Sequence, residues 1–202
     1  GNKNLLTDYA VPVNRVAEIF LGNGMGFQMN LGVRTSGSEL SRLFTIDEDD
    51  GSGSSQGRDG LTVNVKTGAT GIIQCYSIRF SDSTSRDGYF YLLGYFNSKV
   101  DYTERMDTVT LSTNAAWTDV TLSTPANAIV EGIVRNIDNA NERNAGIRAR
   151  LSSLDRQVQL HEGTTTGGRW TVQSDSSSRV QYYAQDITDI TLRIVGYWSF
   201  LP

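Results

Sequence analysis

A single histidine, His161, and a single cysteine, Cys75, set the limits on the chemistry this chain could perform. With one imidazole, neither a Ser–His–Asp relay nor a cluster of histidine metal ligands can be assembled from conventional parts. Around it Val158 and Leu160 alternate with Gln159 and His161, so the period of two puts His161 on the solvent side of a strand. Cys75 lies in the apolar run GIIQCYSI and reads as a buried thiol rather than a nucleophile. Being alone, it excludes an internal disulfide and a cysteine zinc site. Asp47, Glu48, Asp49, Asp50 and Asp59 gather in DEDDGSGSSQGRDG (47–60) and offer the hard oxygen ligands that calcium takes. The EF-hand spacing fails, however, because Arg58 stands where the bidentate Glu belongs, so the segment reads as a solvated acidic loop. Carboxylate pairs for glycoside hydrolysis are defined by their separation in space, and nothing in the sequence selects one pair. The expectation is a protein with no catalytic residues, no cofactor and no metal, and not an enzyme.

The elements that carry these residues are written twice. Thr7-Asp8 returns as Thr118-Asp119, and Glu18 in VAEIFL returns as Glu131 in IVEGIV. GVRTSGSELSR (32–42) returns as GIRARLSSLDR (146–156). Leu61-Thr62-Val63 matches Trp170-Thr171-Val172, Gln74-Cys75-Tyr76 matches Gln181-Tyr182-Tyr183, and LLGYF (92–96) matches IVGYW (194–198). A match at this period means tandem domains, each of roughly 95 residues and large enough for its own core. The expected division is a first copy over 1–98, an ordered connector over 99–115 with an extra strand near DTVTLS (107–112), and a second copy over 116–202.

Thr, Val, Ile, Tyr and Ser dominate the runs, and Gly, Asn, Asp and Ser break them about every ten residues. Strands are expected over 6–11, 16–21, 27–35, 41–46, 61–67, 72–80 and 89–96. In the second copy they fall at 117–123, 128–136, 145–151, 156–162, 169–175, 179–186 and 190–198. This pattern predicts an all-β chain of two tandem antiparallel β-sandwiches, jelly-roll-like and related by internal duplication.

Within the repeat, Ala17, Ile19 and Leu21 alternate against Val16, Glu18 and Phe20, and Met29, Leu31 and Val33 against Asn30, Gly32 and Arg34. If these neighbouring strands pair, Glu18 meets Arg34 on the outer face and Glu131 meets Arg148. Each cross-strand ion pair would contribute up to about 1 kcal/mol. The Ser-x-Leu-x-Arg element (Ser38, Leu40, Arg42; Ser152, Leu154, Arg156) reads as a turn whose Arg bonds backbone carbonyls. Val16, Phe20, Ile129 and Ile133 put apolar groups on the presumed outer face, so something must cover it: the sister copy, residues 97–116 or another subunit. Tyr95, Tyr197 and Trp198, at strand ends, join them as candidate interface residues. Exposed aromatics could alternatively stack on sugar rings.

The net charge of −4 and the absence of a basic patch argue against nucleic-acid binding. No apolar run reaches membrane-spanning length, no signal peptide is evident, and Leu6 spoils a myristoylation signal. Synthesis in a reducing cytoplasm is expected. The series W-T-x-V-x-L-S, an apolar strand, G-[VI]-R-x-x-x-S-x-x-x-R and V-G-Y-[WF] resembles β-sandwich modules of bacteriophage virion proteins, of the head decoration, fibre and tail accessory type. The first copy departs from it, with Leu6 in place of Trp117 and the acidic loop added. The resemblance implies a non-enzymatic virion component located in the particle. It would act as a homo-oligomer against a major capsid or tail protein. The alternative implied is a phage-tail or cell-surface adhesin that takes a host glycan or receptor.

Overall fold

The computed structural model describes residues 1–23, 28–46, 59–79, 88–96, 101–138, 140–160 and 166–199. The chain divides into two compact units, Gly1–Val100 and Asp101–Pro202. Unit 1 contains β1 (Asn2–Asn4), α1 (Leu5–Tyr9), β2 (Val16–Asn23), β3 (Met29–Thr35), β4 (Leu43–Ile46), β5 (Asp59–Lys66), β6 (Ile72–Arg79) and β7 (Tyr89–Phe96). Unit 2 contains β8 (Asp101–Val109), β9 (Thr118–Thr121), β10 (Ile129–Asn136), β11 (Arg143–Ala149), β12 (Val158–Leu160), β13 (Thr166–Gln173), β14 (Arg179–Ala184) and β15 (Ile190–Ser199).

Four antiparallel sheets pair into two sandwiches, so the all-β tandem architecture read from the sequence is the observed one. In unit 2 the sheet orders are β13-β10-β15-β8 and β12-β11-β14-β9. Counting the eight strands of that unit from one, these are 6-3-8-1 and 5-4-7-2, the two interlocked Greek keys of a jelly roll. Unit 1 gives β5-β2-β7 and β1-β6-β3-β4. Strand for strand it repeats unit 2 from β9 onward, and among its described residues no strand stands where β8 stands.

Alternation places the cores. Ala17, Ile19, Leu21, Met29, Leu31 and Val33 are buried in unit 1. Val130, Val134, Ile147, Trp170, Tyr182 and Leu192 are buried in a single cluster in unit 2. The register confirms most of the duplication. Glu18 faces Gly94 and Glu131 faces Gly196, and in both pairings the register shifts immediately afterwards, a bulge in the same place.

Three expectations are corrected. The strand foreseen over 6–11 is instead the single turn α1, because the Asn4 side chain accepts from the Thr7 N–H at 3.2 Å and caps the first orphan amides. The counterpart of β9 is therefore β1: Asn2 faces Gln74 as Asp119 faces Gln181, and Thr7-Asp8 does not correspond to Thr118-Asp119. The match between 61–63 and 170–172 is displaced by two residues. Glu18 faces Asn64 while Glu131 faces Thr171, so Val63 corresponds to Trp170 and Val65 to Val172. A shift of two keeps every side chain on its face, which is why the alternation did not reveal it.

Candidate functional site

The recurring charged residues do not form the expected ion pairs. β2 and β3 lie in different sheets, as do β10 and β11, because consecutive jelly-roll strands cross from one sheet to the other. Glu18 and Arg34 are separated by that crossing, as are Glu131 and Arg148. Each Arg instead grips its own sheet. Arg34 donates from Nε to Gln74 Oε1 at 2.8 Å and from Nη1 to the Leu40 carbonyl at 3.1 Å. Arg148 donates to Gln181 Oε1 at 2.9 Å and to the Leu154 carbonyl at 3.0 Å. One residue pattern thus builds one geometry twice.

The rest of the shared motif follows from it. Ser38 Oγ accepts from the Leu40 N–H, and Ser152 Oγ from the Leu154 N–H, both at 3.2 Å, which turns each carbonyl toward its Arg. Gly32 and Gly146 let the loop close: a Cβ on either would stand 2.3 Å from the carbonyl oxygen of Arg42 or Arg156. Arg42 then reaches the opposite sheet, donating from Nη1 to the Asn64 carbonyl at 2.9 Å, and Arg156 donates to the Thr171 carbonyl at 3.3 Å. Asn64 and Thr171 are the counterparts fixed by the register.

Above Arg34 and Arg148 the two units differ. In unit 2 the indole of Trp117 lies over the Arg148 guanidinium, 4.1 Å from Cζ to the ring centre, and tilts against Tyr183 at 5.8 Å. In unit 1 the same place is a cavity of about 470 Å³ lined by Arg34, Gln74, Tyr76, Leu40 and the backbone of Gly1. By register, the position matching Trp117 falls one residue ahead of Gly1, not at Leu6 as the sequence comparison suggested. Cys75 borders the cavity and corresponds to Tyr182; burial pushes its thiol pKa up, which makes it a poor nucleophile.

The candidate interface residues separate into two groups. Val16 and Ile133 are buried, and Phe20 and Ile129 are half-buried. In unit 2 part of the outer cover comes from β8. Tyr102 and Trp198 meet as a tilted ring pair, 4.8 Å between centres, beside Glu131, which is 1% exposed, and both donate to its carboxylate, at 2.8 and 3.1 Å. Arg169 pairs with the same carboxylate. Trp198 is therefore an internal residue, and Tyr197 packs against the core of its own unit. On unit 1 the counterpart face is aromatic and open. Tyr91 and Phe96 on that face are 44 and 41% exposed, and Tyr91 stacks with both Phe20 and Tyr89; Leu93, at the bulge, and Tyr95, on the other face opposite Ala17, are 56 and 42% exposed. Tyr91 stands where unit 2 has Arg193, and Phe20 where it has Ile133.

His161 and the acidic stretch 47–58 lie outside the described residues, and Asp59 begins β5. Among the described residues no group of three His, Cys, Asp or Glu side chains is placed to hold a metal ion. No helix there is long and apolar enough to cross a membrane. No protein-family model matches the chain, and no curated protein matches it. The molecule stands as an all-β protein of four antiparallel sheets arranged as two β-sandwiches.

Proposed function

We propose that the chain is a non-enzymatic structural or accessory protein of a bacteriophage particle. It would decorate the capsid or form part of a head or tail fibre, and bind a major capsid or tail protein while associating with further copies of itself. The observation that carries this reading is the aromatic outer face of β7, where Tyr91 and Phe96 are 44 and 41% exposed beside the half-buried Phe20. A contiguous apolar surface of that kind marks a protein–protein contact. The resemblance of the shared motif to virion β-sandwich modules supplies the particle. Size measurement by light scattering, with co-sedimentation on particles lacking the protein, tests the reading. Association that a Tyr91→Ser/Phe96→Ser variant abolishes is expected. A strict monomer that binds no particle would sink it.

A second reading, a glycan- or receptor-binding adhesin, draws on the stacked Tyr89–Tyr91 pair, of which the exposed Tyr91 ring could take the flat face of a sugar. A glycan array separates the two: saturable binding to one sugar class, lost in Tyr91→Ala, would favour the adhesin.

A further inference from the structure

Two large rings of unit 2 do not serve its core. Trp117, the residue before β9, and Tyr183 on β14 are half-buried, and neither belongs to the buried cluster of that unit or to the side chains packed against it. Register puts both on the outside of their sheet. Arg148 faces Gln181 and Gln181 faces Asp119, and the period of two carries Trp117, Tyr183, Arg150 and Arg179 to the same face. The inward set is Ile147, Val180 and Tyr182, all buried.

The polar groups of this face hold one another in place. Arg148 is fixed by Gln181 and by the Leu154 carbonyl. Gln181 Nε2 donates to Asp119 Oδ1 at 2.8 Å, and Arg150 Nε donates to Asp119 Oδ2 at 2.6 Å. Arg148 is thus pinned beneath the indole and takes one face of it, while the other face turns outward from the sheet. Beside that ring the Asp119 and Arg150 side chains are 37 and 26% exposed. Each Asp119 oxygen accepts one bond here and has room for another, and Arg150 has N–H groups left to donate. The bonds from Arg150 and Gln181 hold the Asp119 carboxyl below its ordinary range, so it is an ionised acceptor near neutral pH.

Exposed ion pairs of this kind contribute little to stability, so the fold alone gives small reason to keep the array. Three arginines, Arg148, Arg150 and Arg179, stand against two aspartates, Asp119 and Asp175, which leaves little net charge for an ionic ligand. A flat ring beside a fixed acceptor and a fixed donor suits a pyranose: its C–H face covers the indole, and neighbouring hydroxyls both donate and accept at the rim. We propose that the outer face of β11, β14 and β9 is a site for a neutral saccharide, with Trp117 as the stacking platform and Asp119 and Arg150 as the hydroxyl partners. The site lies in unit 2, apart from the aromatic face of β7, and it rests on neither the assembly reading nor the Tyr89–Tyr91 pair.

The full chain, fluorescently labelled, is applied to an array of neutral hexose and N-acetylhexosamine oligosaccharides, and the best binder is then titrated by calorimetry. Saturable binding is expected, with a shift in tryptophan emission on saturation. Trp117→Ala should weaken it by about tenfold or more, the loss of one stacked ring. Trp117→Phe keeps a ring and should stay within about threefold of the parent, which separates loss of the platform from loss of the fold. Asp119→Asn should weaken binding while the circular dichroism spectrum is unchanged. Tyr91→Ala should leave it intact. No saturable binding to any neutral glycan at millimolar concentration overturns the inference. So does binding that Trp117→Ala leaves unchanged, and so does binding that Tyr91→Ala removes, because the sugar would then sit on unit 1. Light scattering and co-sedimentation decide the assembly reading separately, and a failed array leaves that reading standing.

Discussion

Glu131 shows how a recurring charge can be structural without being paired as its spacing suggests. A carboxylate this deeply buried is tolerated only where donors saturate it, and Arg169, Tyr102 and Trp198 converge on its two oxygens. Glu131→Ala leaves Arg169 facing a vacated, largely dry site and should cost unit 2 about 3 kcal/mol. Glu131→Gln, which still accepts, should cost less. Chemical denaturation followed by tryptophan fluorescence reads both, and equal stability of the alanine variant and the parent would contradict the account. In the sequence the recurrence of Glu18 and Glu131 was plain. The partners were not, because two donors come from residues about 30 and 67 positions away and the spacing cannot say which sheet a strand joins. The Arg34 and Arg148 sites were legible as motifs, but their acceptors, a carbonyl six residues on and a glutamine on the next strand, were not.

At the level of strands, alternation located every strand from β2 through β7 and from β9 through β15 to within a few residues, because a half-buried sheet imposes a period of two. Three elements escaped it. β1, Asn2–Asn4, is three polar residues with no alternation to mark it. α1 is a five-residue turn set by one capping asparagine, too short to show a helical period. β8 begins at Asp101, six residues before the expected DTVTLS strand, since DYTER carries only one apolar residue to mark it. That residue, Tyr102, explains Gly196, and a paired substitution follows. Gly196→Ala drives a methyl into the Tyr102 ring and should destabilise unit 2 by about 1–3 kcal/mol. Gly94→Ala enters open space and should leave the stability of the free chain unchanged within about 0.5 kcal/mol. Equal losses at the two positions would mean that the sister bulges are not environments of different occupancy.

Across the molecule, two units with separate cores and, among the described residues, unequal strand counts should not unfold together. All three tryptophans, Trp117, Trp170 and Trp198, belong to unit 2, so their emission reports that unit alone while far-ultraviolet circular dichroism reports both. On heating, ellipticity should begin to fall before the tryptophan emission shifts, because unit 1, with fewer strands among the described residues, gives way first. Coincident curves would argue against independent units. Acid should act on unit 2 through Asp119 and Asp138, which lie below the ordinary carboxylate range. Asp119 is lowered by hydrogen bonds from Arg150 and Gln181, and Asp138 by those from Asn141 and the Ala140 N–H. Their stabilising effect is fully present above about pH 4, the unfolded value, and is lost as pH falls through the lower folded values. The melting temperature of unit 2 should therefore drop between about pH 5 and pH 2, and Asp138→Asn should flatten that drop. An unchanged acid profile in the variant would remove Asp138 from the account.

The fastening made by Arg42 and Arg156 carries an evolutionary corollary. What each guanidinium grasps is a peptide oxygen, a feature every amino acid presents, so the receiving strand places no demand on its own side chain there. Asn64 serves in one unit and Thr171 in the other, at 2.9 and 3.3 Å, and the carbonyl accepts in both. Two descendants of one ancestral sandwich can therefore diverge freely along that strand while the layers stay clasped at the same point.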